Sequence, residues 1–120
     1  LIDFRLFEHA LSNLILNAVQ YAGDHLCIEI VVKIEGSQII LKISDNGNGI
    51  SEENQKHLFE KFYRVPLTPA GGTGLGLSIV KGIVELHKGQ IRYERNVPQG
   101  SSFIISLPLL EPPQVQKEVT

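Results

Sequence analysis

Cysteine is almost absent from this chain of 120 residues: Cys27 is the only one. A single thiol excludes an internal disulfide framework, and no Cys/His cluster has zinc-ligand spacing. That usage fits a reducing compartment. A dominant charge sign is missing too. The net charge is −2 with both signs interspersed, so the basic stripe that nucleic-acid contact requires is not there. No apolar run approaches the ~18 residues needed to cross a bilayer, and no basic segment leads into an apolar one at the start, so no signal peptide is visible. Contact of this domain with nucleic acid or membrane is not expected. The composition of a disordered chain is also lacking. Hydrophobic residues make up 42% and charged residues 20%, ordinary values for a globular protein with a core. The length suits one compact domain and not two. The expected boundaries are 1–110 for the domain and 111–120 for a frayed, proline-containing tail. Leu1 to Asp3 run straight into a helical pattern, as expected of a piece of a longer protein.

What is present is periodicity. Phe7, Leu11, Leu14, Ala18 and Tyr21 recur at helical steps, which predicts a helix over 3–22 with one buried stripe. Asp3 is its candidate N-cap and Gly23 its stop. Leu26, Ile28, Ile30, Val32 and Ile34 alternate, and so do Ile39, Leu41 and Ile43. With Glu35-Gly36-Ser37 between them, they predict a β-hairpin. Ser51 followed by Glu52 and Glu53 predicts a short helix over 52–61. Two prolines and three glycines make 65–74 a loop. Leu77, Val80, Val84 and His87, with Ile79, Ile83 and Leu86, predict a third helix ending near Gly89. Strands are expected at 90–95 and 102–107, the second with Phe103, Ile105 and Leu107 on one face. This order predicts an α+β fold: a two-layer sandwich with a mixed, mostly antiparallel sheet of about four to five strands, covered on one face by about three helices.

Three features carry chemistry. Asp45 falls in phase with the buried face of its strand, where a carboxylate is costly unless hydrogen-bonded or neutralised. Gly47 and Gly49 follow, and glycines there permit positive φ and close approach of a ligand. Asp45 either accepts a hydrogen bond from an amino group such as that of adenine or caps its own turn with Asn46. Asn13 and Asn17 lie one helical turn apart, with Tyr21 one turn further on. Asparagine lowers helix propensity, so two in mid-helix want a reason. They form either a solvated polar face or a set of neutral oxygen ligands suited to Mg²⁺ beside phosphates. Gly71-Gly72-Thr73-Gly74-Leu75-Gly76-Leu77 leads into a helix. It is either a flexible loop or a phosphate cradle of exposed backbone N–H groups. It is not a Walker A loop, because Leu77 follows Gly76 where lysine is required. It is not a dinucleotide fingerprint either, because the third glycine is absent and the chain opens on a helix. Phe59, Phe62 and Tyr63 read as core or lid packing, and Arg64 as a surface residue or a phosphate contact. His9, His25, His57 and His87 are scattered and read as structural or exposed.

The features occur in an order that resembles the catalytic, ATP-binding domain of bacterial sensor histidine kinases, a branch of the superfamily that includes gyrase and mismatch-repair ATPases. Asn13-Leu14-Ile15-Leu16-Asn17-Ala18 with Tyr21 resembles the N box. Asp45-Asn46-Gly47-Asn48-Gly49-Ile50 resembles the G1 box. Leu58-Phe59-Glu60-Lys61-Phe62-Tyr63-Arg64 resembles the F box, and Gly72-Thr73-Gly74-Leu75-Gly76-Leu77 the G2 box. The resemblance extends over residues 3–108. It implies that Asn17 coordinates Mg²⁺ with Asn13 beside the phosphates, and that Asp45 accepts the adenine amino group. It also implies that Gly47, Gly49 and Ile50 admit and wall the base, that Tyr21 lines the pocket, and that Ser102 stands near Asp45. Residues 63–73, with Tyr63, Arg64 and Thr73, would form the lid over the nucleotide. Gly74, Leu75, Gly76 and Leu77 would meet the phosphates.

The implied reaction is transfer of the ATP γ-phosphate to a histidine on a dimerisation domain outside this chain, within two-component signalling to a response regulator. The implied protein is a membrane-anchored sensor with this domain in the cytoplasm, dimeric only through regions outside this chain. No histidine here stands in a phosphoacceptor context, so the chain alone is expected to bind ATP and not to phosphorylate itself. Two departures leave alternatives open. Gln20 stands where the family often has a cation, and Val65 to Ala70 make a short, uncharged lid. The alternatives are a nucleotide-binding regulatory module without transfer, or an anti-sigma-type serine kinase.

Overall fold

The computed structural model describes residues 3–22, 27–61 and 76–108, with the side chains of residues 4 and 20–22 left aside. Its elements run α1 (Phe4–Ala22), β1 (Ile28–Glu35), β2 (Gln38–Asp45), α2 (Glu52–Gln55), α3 (Gly76–Leu86), β3 (Gln90–Arg95) and β4 (Ser101–Pro108). The expected stop at Gly23, the strand start at Leu26 and the tail lie outside the described residues.

Asp3 caps α1 as expected. Its carboxylate accepts from the Arg5 and Leu6 N–H groups at 3.0 and 3.1 Å, satisfying donors that the first turn leaves open. The far end of α3 reaches the same point. His87 donates from Nδ1 to the Ile83 carbonyl (2.8 Å) and accepts the Asp3 N–H on Nε2 (3.0 Å). Its ring meets Phe7 edge to face at 4.7 Å. His87 is thus a structural clamp between α1 and α3.

The four strands form one sheet in the order β1-β2-β4-β3, and every described pairing is antiparallel. Gly36, at φ +60°, opens the two-residue turn between β1 and β2, the conformation such tight hairpins require. Period two then decides the faces. Ile43, Phe103, Ile105 and Leu107 point at the helix layer and pack with Phe7, Ala10 and Leu14 of α1 and Val80, Ile83 and Val84 of α3. Leu14, Val80, Val84 and Ile105 are fully buried. The helices cover β2, β4 and β3 but not β1, where Ile30, Val32 and Ile34 remain exposed. The alternation expected of β1 is there, without a layer over it.

One local expectation is corrected. The helix expected over 52–61 is α-helical only over Glu52–Gln55. Beyond it His57 and Glu60 donate to carbonyls three residues back, a tighter winding that leaves Leu58 buried and sets Phe59 edge-on against Phe103 at 6.2 Å. The third helix ends near Gly89 as expected, with α3 closing at Leu86. Lys88 takes the left-handed conformation, at φ +63°, and the Gly89 N–H closes the cap on the Val84 carbonyl at 2.9 Å. Glycine is required at 89 because a Cβ would run into the Ser106 carbonyl and the Leu107 side chain. Among the described residues no helix is long and apolar enough to cross a membrane.

Candidate functional site

The end of β2 is where the sheet stops being regular. Asp45 is the last paired residue, in register with Ile28 on one side and Ser101 on the other. Alternation turns its side chain to the helix face, where it is half-buried. Its Oδ1 accepts the Gly47 N–H at 2.8 Å. Burial raises the pKa of this carboxyl above its ordinary value, against the opposing pull of the Gly47 and Ser101 N–H groups. The site therefore holds a carboxylate that is incompletely compensated.

The turn after Asp45 is fixed from both ends. Gly49 has φ +78°, and a Cβ there would stand 3.0 Å from the Gly100 carbonyl and from Arg95 Nε. Any other residue type would be strained at that φ and would press on the Gly100 carbonyl. The buried Ile50 donates its N–H to the Tyr93 hydroxyl at 2.8 Å and accepts Gln55 Nε2 on its carbonyl at 2.7 Å. The Tyr93 hydroxyl also meets Ser101 Oγ at 2.7 Å, while its ring packs edge-on against Phe103 at 5.3 Å. Asn46 accepts the Cys27 N–H at 2.8 Å on its side chain and Gln99 Nε2 at 2.7 Å on its carbonyl.

On the helix layer, Asn13 and Asn17 are both half-buried on α1. Asn13 faces the start of α3: its Oδ1 lies 3.4 Å from where a Gly76 Cβ would be. The Asn13 Nδ2 is the one buried side-chain nitrogen or oxygen without a hydrogen-bond partner among the described residues. A buried amide donor left open costs about 1–3 kcal/mol. It sits where the first N–H groups of a helix also lack intrahelical acceptors. An anionic oxygen ligand answers both needs, and phosphate is such a ligand. Asn17 offers a neutral amide oxygen one turn away. That donor suits Mg²⁺, an ion that keeps most of its waters and takes one or two protein ligands. Among the described residues no group of three or more His, Cys, Asp or Glu could hold a metal ion.

The structure thus gathers Asp45, Gly47, Gly49 and Ile50 at one end of the sheet, and Asn13 with Gly76 and Leu77 at the α1–α3 contact. Tyr63, Arg64, Thr73, Gly74, Leu75 and the Tyr21 side chain lie outside the described residues. Ser102 is a correction. The register pairs Asp45 with Ser101, so Ser101 shares the helix-facing side with it. Ser102 points to the opposite side of the sheet, where it is fully buried and bonded to Ser44 at 2.8 Å and Asn96 at 2.7 Å. A slip of one residue along a strand exchanges its faces. Tyr93, Asn96, Gln99 and Ser101 were not foreseen; counting the register outward from Asp45 would have found Ser101. A concavity of about 440 Å³, lined by Glu29, Lys42, Ser44, Asn96 and Gln99 among others, lies at the same end of the sheet.

Comparison with known proteins agrees with this geometry. The family described as histidine kinase-, DNA gyrase B-, and HSP90-like ATPase matches residues 2–111. The circadian input-output histidine kinase CikA of Synechococcus elongatus is 40% identical over 116 residues, covering 92% of this chain and 15% of that protein. Sensor protein RprX of Bacteroides fragilis is 43% identical over 108 residues, covering 86% and 21%. The chain therefore spans about a fifth or less of these relatives. Among solved structures, the mycobacterial sensor histidine kinase MprB superposes with a TM-score of 0.80 at 29% identity, over 88% of this chain and 74% of that one. The catalytic domain of histidine kinase ThkA gives 0.78 at 31% identity, over 89% and 68%. The chain belongs to the histidine kinase-, DNA gyrase B-, and HSP90-like ATPase family, as a histidine-kinase-type ATPase domain of the kind sensor kinases carry.

Proposed function

We propose that this domain binds Mg²⁺-ATP and presents the γ-phosphate to a histidine on a dimerisation domain outside this chain, as the first step of two-component signalling to a response regulator. The observation that carries the reading is the buried, unpartnered Asn13 amide facing the first turn of α3. A donor in that state is stabilised by an acceptor brought in from outside the chain, and a phosphate oxygen is one that also suits the first turn of a helix.

In this reading Asp45 accepts the 6-amino group of adenine, and Gly47 and Gly49 let the base approach the backbone. Ile50 supplies an apolar wall whose position Tyr93 and Gln55 fix. Asn13 donates to a phosphate oxygen, and Asn17 holds Mg²⁺, which when bound neutralises phosphate charge. Tyr21, Tyr63, Arg64, Thr73 and the stretch from Gly74 to Leu77 close over and meet the nucleotide. Transfer of this kind rests on positioning and charge neutralisation, so the chain's contribution is to hold the γ-phosphate in line for an incoming imidazole. The domain works in the cytoplasm, within a membrane-anchored protein whose dimerisation lies in other regions.

Titrating the chain with ATP and Mg²⁺ tests the first half of the proposal. Saturable binding is expected, weakened in Asp45→Asn and in Asn17→Asp; no binding at millimolar ATP would overturn it. Adding the dimerisation domain of the same protein should then yield acid-labile phosphohistidine on that domain. Binding without any transfer would favour the regulatory-module reading, which the Gln20 and short-lid departures motivate.

A further inference from the structure

We propose that Asn96 is a positioning residue for adenine recognition: its side-chain amide staples the end of β2 to the start of β4 and so fixes the direction of the Asp45 carboxylate. The proposal rests on the reading that Asp45 receives the adenine amino group.

The Asp45–Ser101 pair is the last of the β2–β4 ladder. Terminal pairs open more readily than interior ones. Beyond Asp45 the chain enters a glycine-containing turn that is held mainly by groups from other segments. A carboxylate at such a point keeps its direction only if its backbone is held. Asn96 holds it. Its Nδ2 donates to the Asp45 carbonyl and to the Ser101 carbonyl, both at 3.2 Å. Its Oδ1 accepts the Ser102 hydroxyl at 2.7 Å, and Ser102 is in turn met by Ser44 Oγ at 2.8 Å. Both amide protons and the amide oxygen are therefore engaged, and the partners lie on two strands, Asp45 51 residues from Asn96 in sequence and Ser101 five.

The rest of the β3–β4 turn supports this side chain. The Asn96 N–H donates to the Gly100 carbonyl at 3.0 Å, and Gln99 Nε2 reaches the Asn46 carbonyl at 2.7 Å. Gly100, at φ +115°, lies so close to the Asp45 carbonyl that no Cβ fits between them. The turn thus grips the backbone of Asp45 and Asn46 through amide donors and contact, while the carboxylate faces the other side of the sheet. If the staple is lost, the Asp45–Ser101 pair frays, and the carboxylate loses the Ser101 N–H and its fixed aim. A residue that merely shaped the turn would affect stability and leave base recognition alone.

The test compares ATP with ITP, which carries an oxygen in place of the 6-amino group, in calorimetric titrations of this chain with Mg²⁺. Wild type should prefer ATP. Asn96→Ala should weaken ATP roughly tenfold and ITP little, so that the ATP/ITP ratio collapses toward one. A matching collapse in Asp45→Asn is the positive control. If Asp45→Asn keeps the ratio, the adenine reading of Asp45 fails and this proposal fails with it. If Asp45→Asn collapses the ratio and Asn96→Ala does not, or if Asn96→Ala weakens both nucleotides equally, only the role of Asn96 is overturned. Should Asn96→Ala not fold, Ser102→Ala decides, because it removes the hydroxyl that orients the Asn96 amide. A ratio lowered by roughly two- to fivefold supports the staple; an unchanged ratio overturns it.

Discussion

Replacing Asn13 with leucine is expected to make the nucleotide-free domain more stable and to impair its binding of ATP. Leucine is close to asparagine in shape and removes a buried donor that has no partner. That donor costs about 1–3 kcal/mol when unsatisfied, and leucine adds a few tenths through its better helix propensity. For a domain of this size, 1 kcal/mol shifts the melting temperature by roughly 4 °C, so the variant should melt roughly 4–12 °C higher without ligand. Binding moves the other way. Loss of a hydrogen bond to a charged phosphate is worth about 1.5–3 kcal/mol, or roughly 10- to 150-fold in dissociation constant. The assay is thermal unfolding of both proteins with and without saturating Mg²⁺-ATP. Ligand at a hundred times its dissociation constant should stabilise wild type by about 2.7 kcal/mol, and the variant by far less at the same concentration. A lower melting point for the ligand-free variant would show that the amide is satisfied in the folded domain. An undiminished ATP-induced shift would show that Asn13 does not meet the nucleotide. Either result refutes the reasoning.

Asp45 gives a pH signature of two signs. Burial raises its pKa, so its contribution to stability is fully present below the unfolded-state pKa and is lost as pH rises through the folded value. ATP affinity, which needs the charged acceptor, should instead fall as pH is lowered through that folded value; both trends should flatten in Asp45→Asn, as parallel melts and titrations across the acid range would reveal. Lys88 adopts φ +63° without being glycine, so Lys88→Gly should stabilise the domain by about 0.5–1 kcal/mol in denaturant titration; a destabilised variant would mean that the lysine side chain does more than occupy the cap. Gly100→Ala forces a Cβ onto the Asp45 carbonyl and should lower stability by more than about 1 kcal/mol while weakening ATP. Unchanged ATP affinity in a folded Gly100→Ala protein would argue that the turn does not control the carboxylate.

Periodicity made most of the architecture readable before any coordinates, because each element repeats its own geometry. The hairpin, the third helix and the last strand follow from alternation and helical spacing, and the Asp3 cap from one side chain within reach of its own first turn. What periodicity cannot report is whether anything lies over a face. Ile30, Val32 and Ile34 alternate as cleanly as Phe103, Ile105 and Leu107, yet one row is exposed and the other buried, and only the placement of α1 and α3 over the sheet distinguishes them.

The candidate site shows the same limit more sharply. Asp45 declared itself locally, as an acid in phase with a buried row. Its partners could not, because the strand order β1-β2-β4-β3 brings β4 beside β2 across nearly half the chain at Asp45, and no local pattern encodes that crossing or its register. With the register unknown, Ser101 and Ser102 are equivalent in sequence and opposite in space. One stands beside the carboxylate; the other completes the Asn96 network behind it. The boxes of the family mark groups expected to touch the nucleotide. The groups that aim them, Tyr93 on Ile50 and Asn96 on Asp45, lie beyond the last of those boxes, in a strand and turn whose sequence carries no sign of the role. Their contribution depends on which backbone carbonyl or N–H the fold brings within 3.2 Å or less, and so the precision of such a site is set by residues that pairwise contacts reveal and motifs do not.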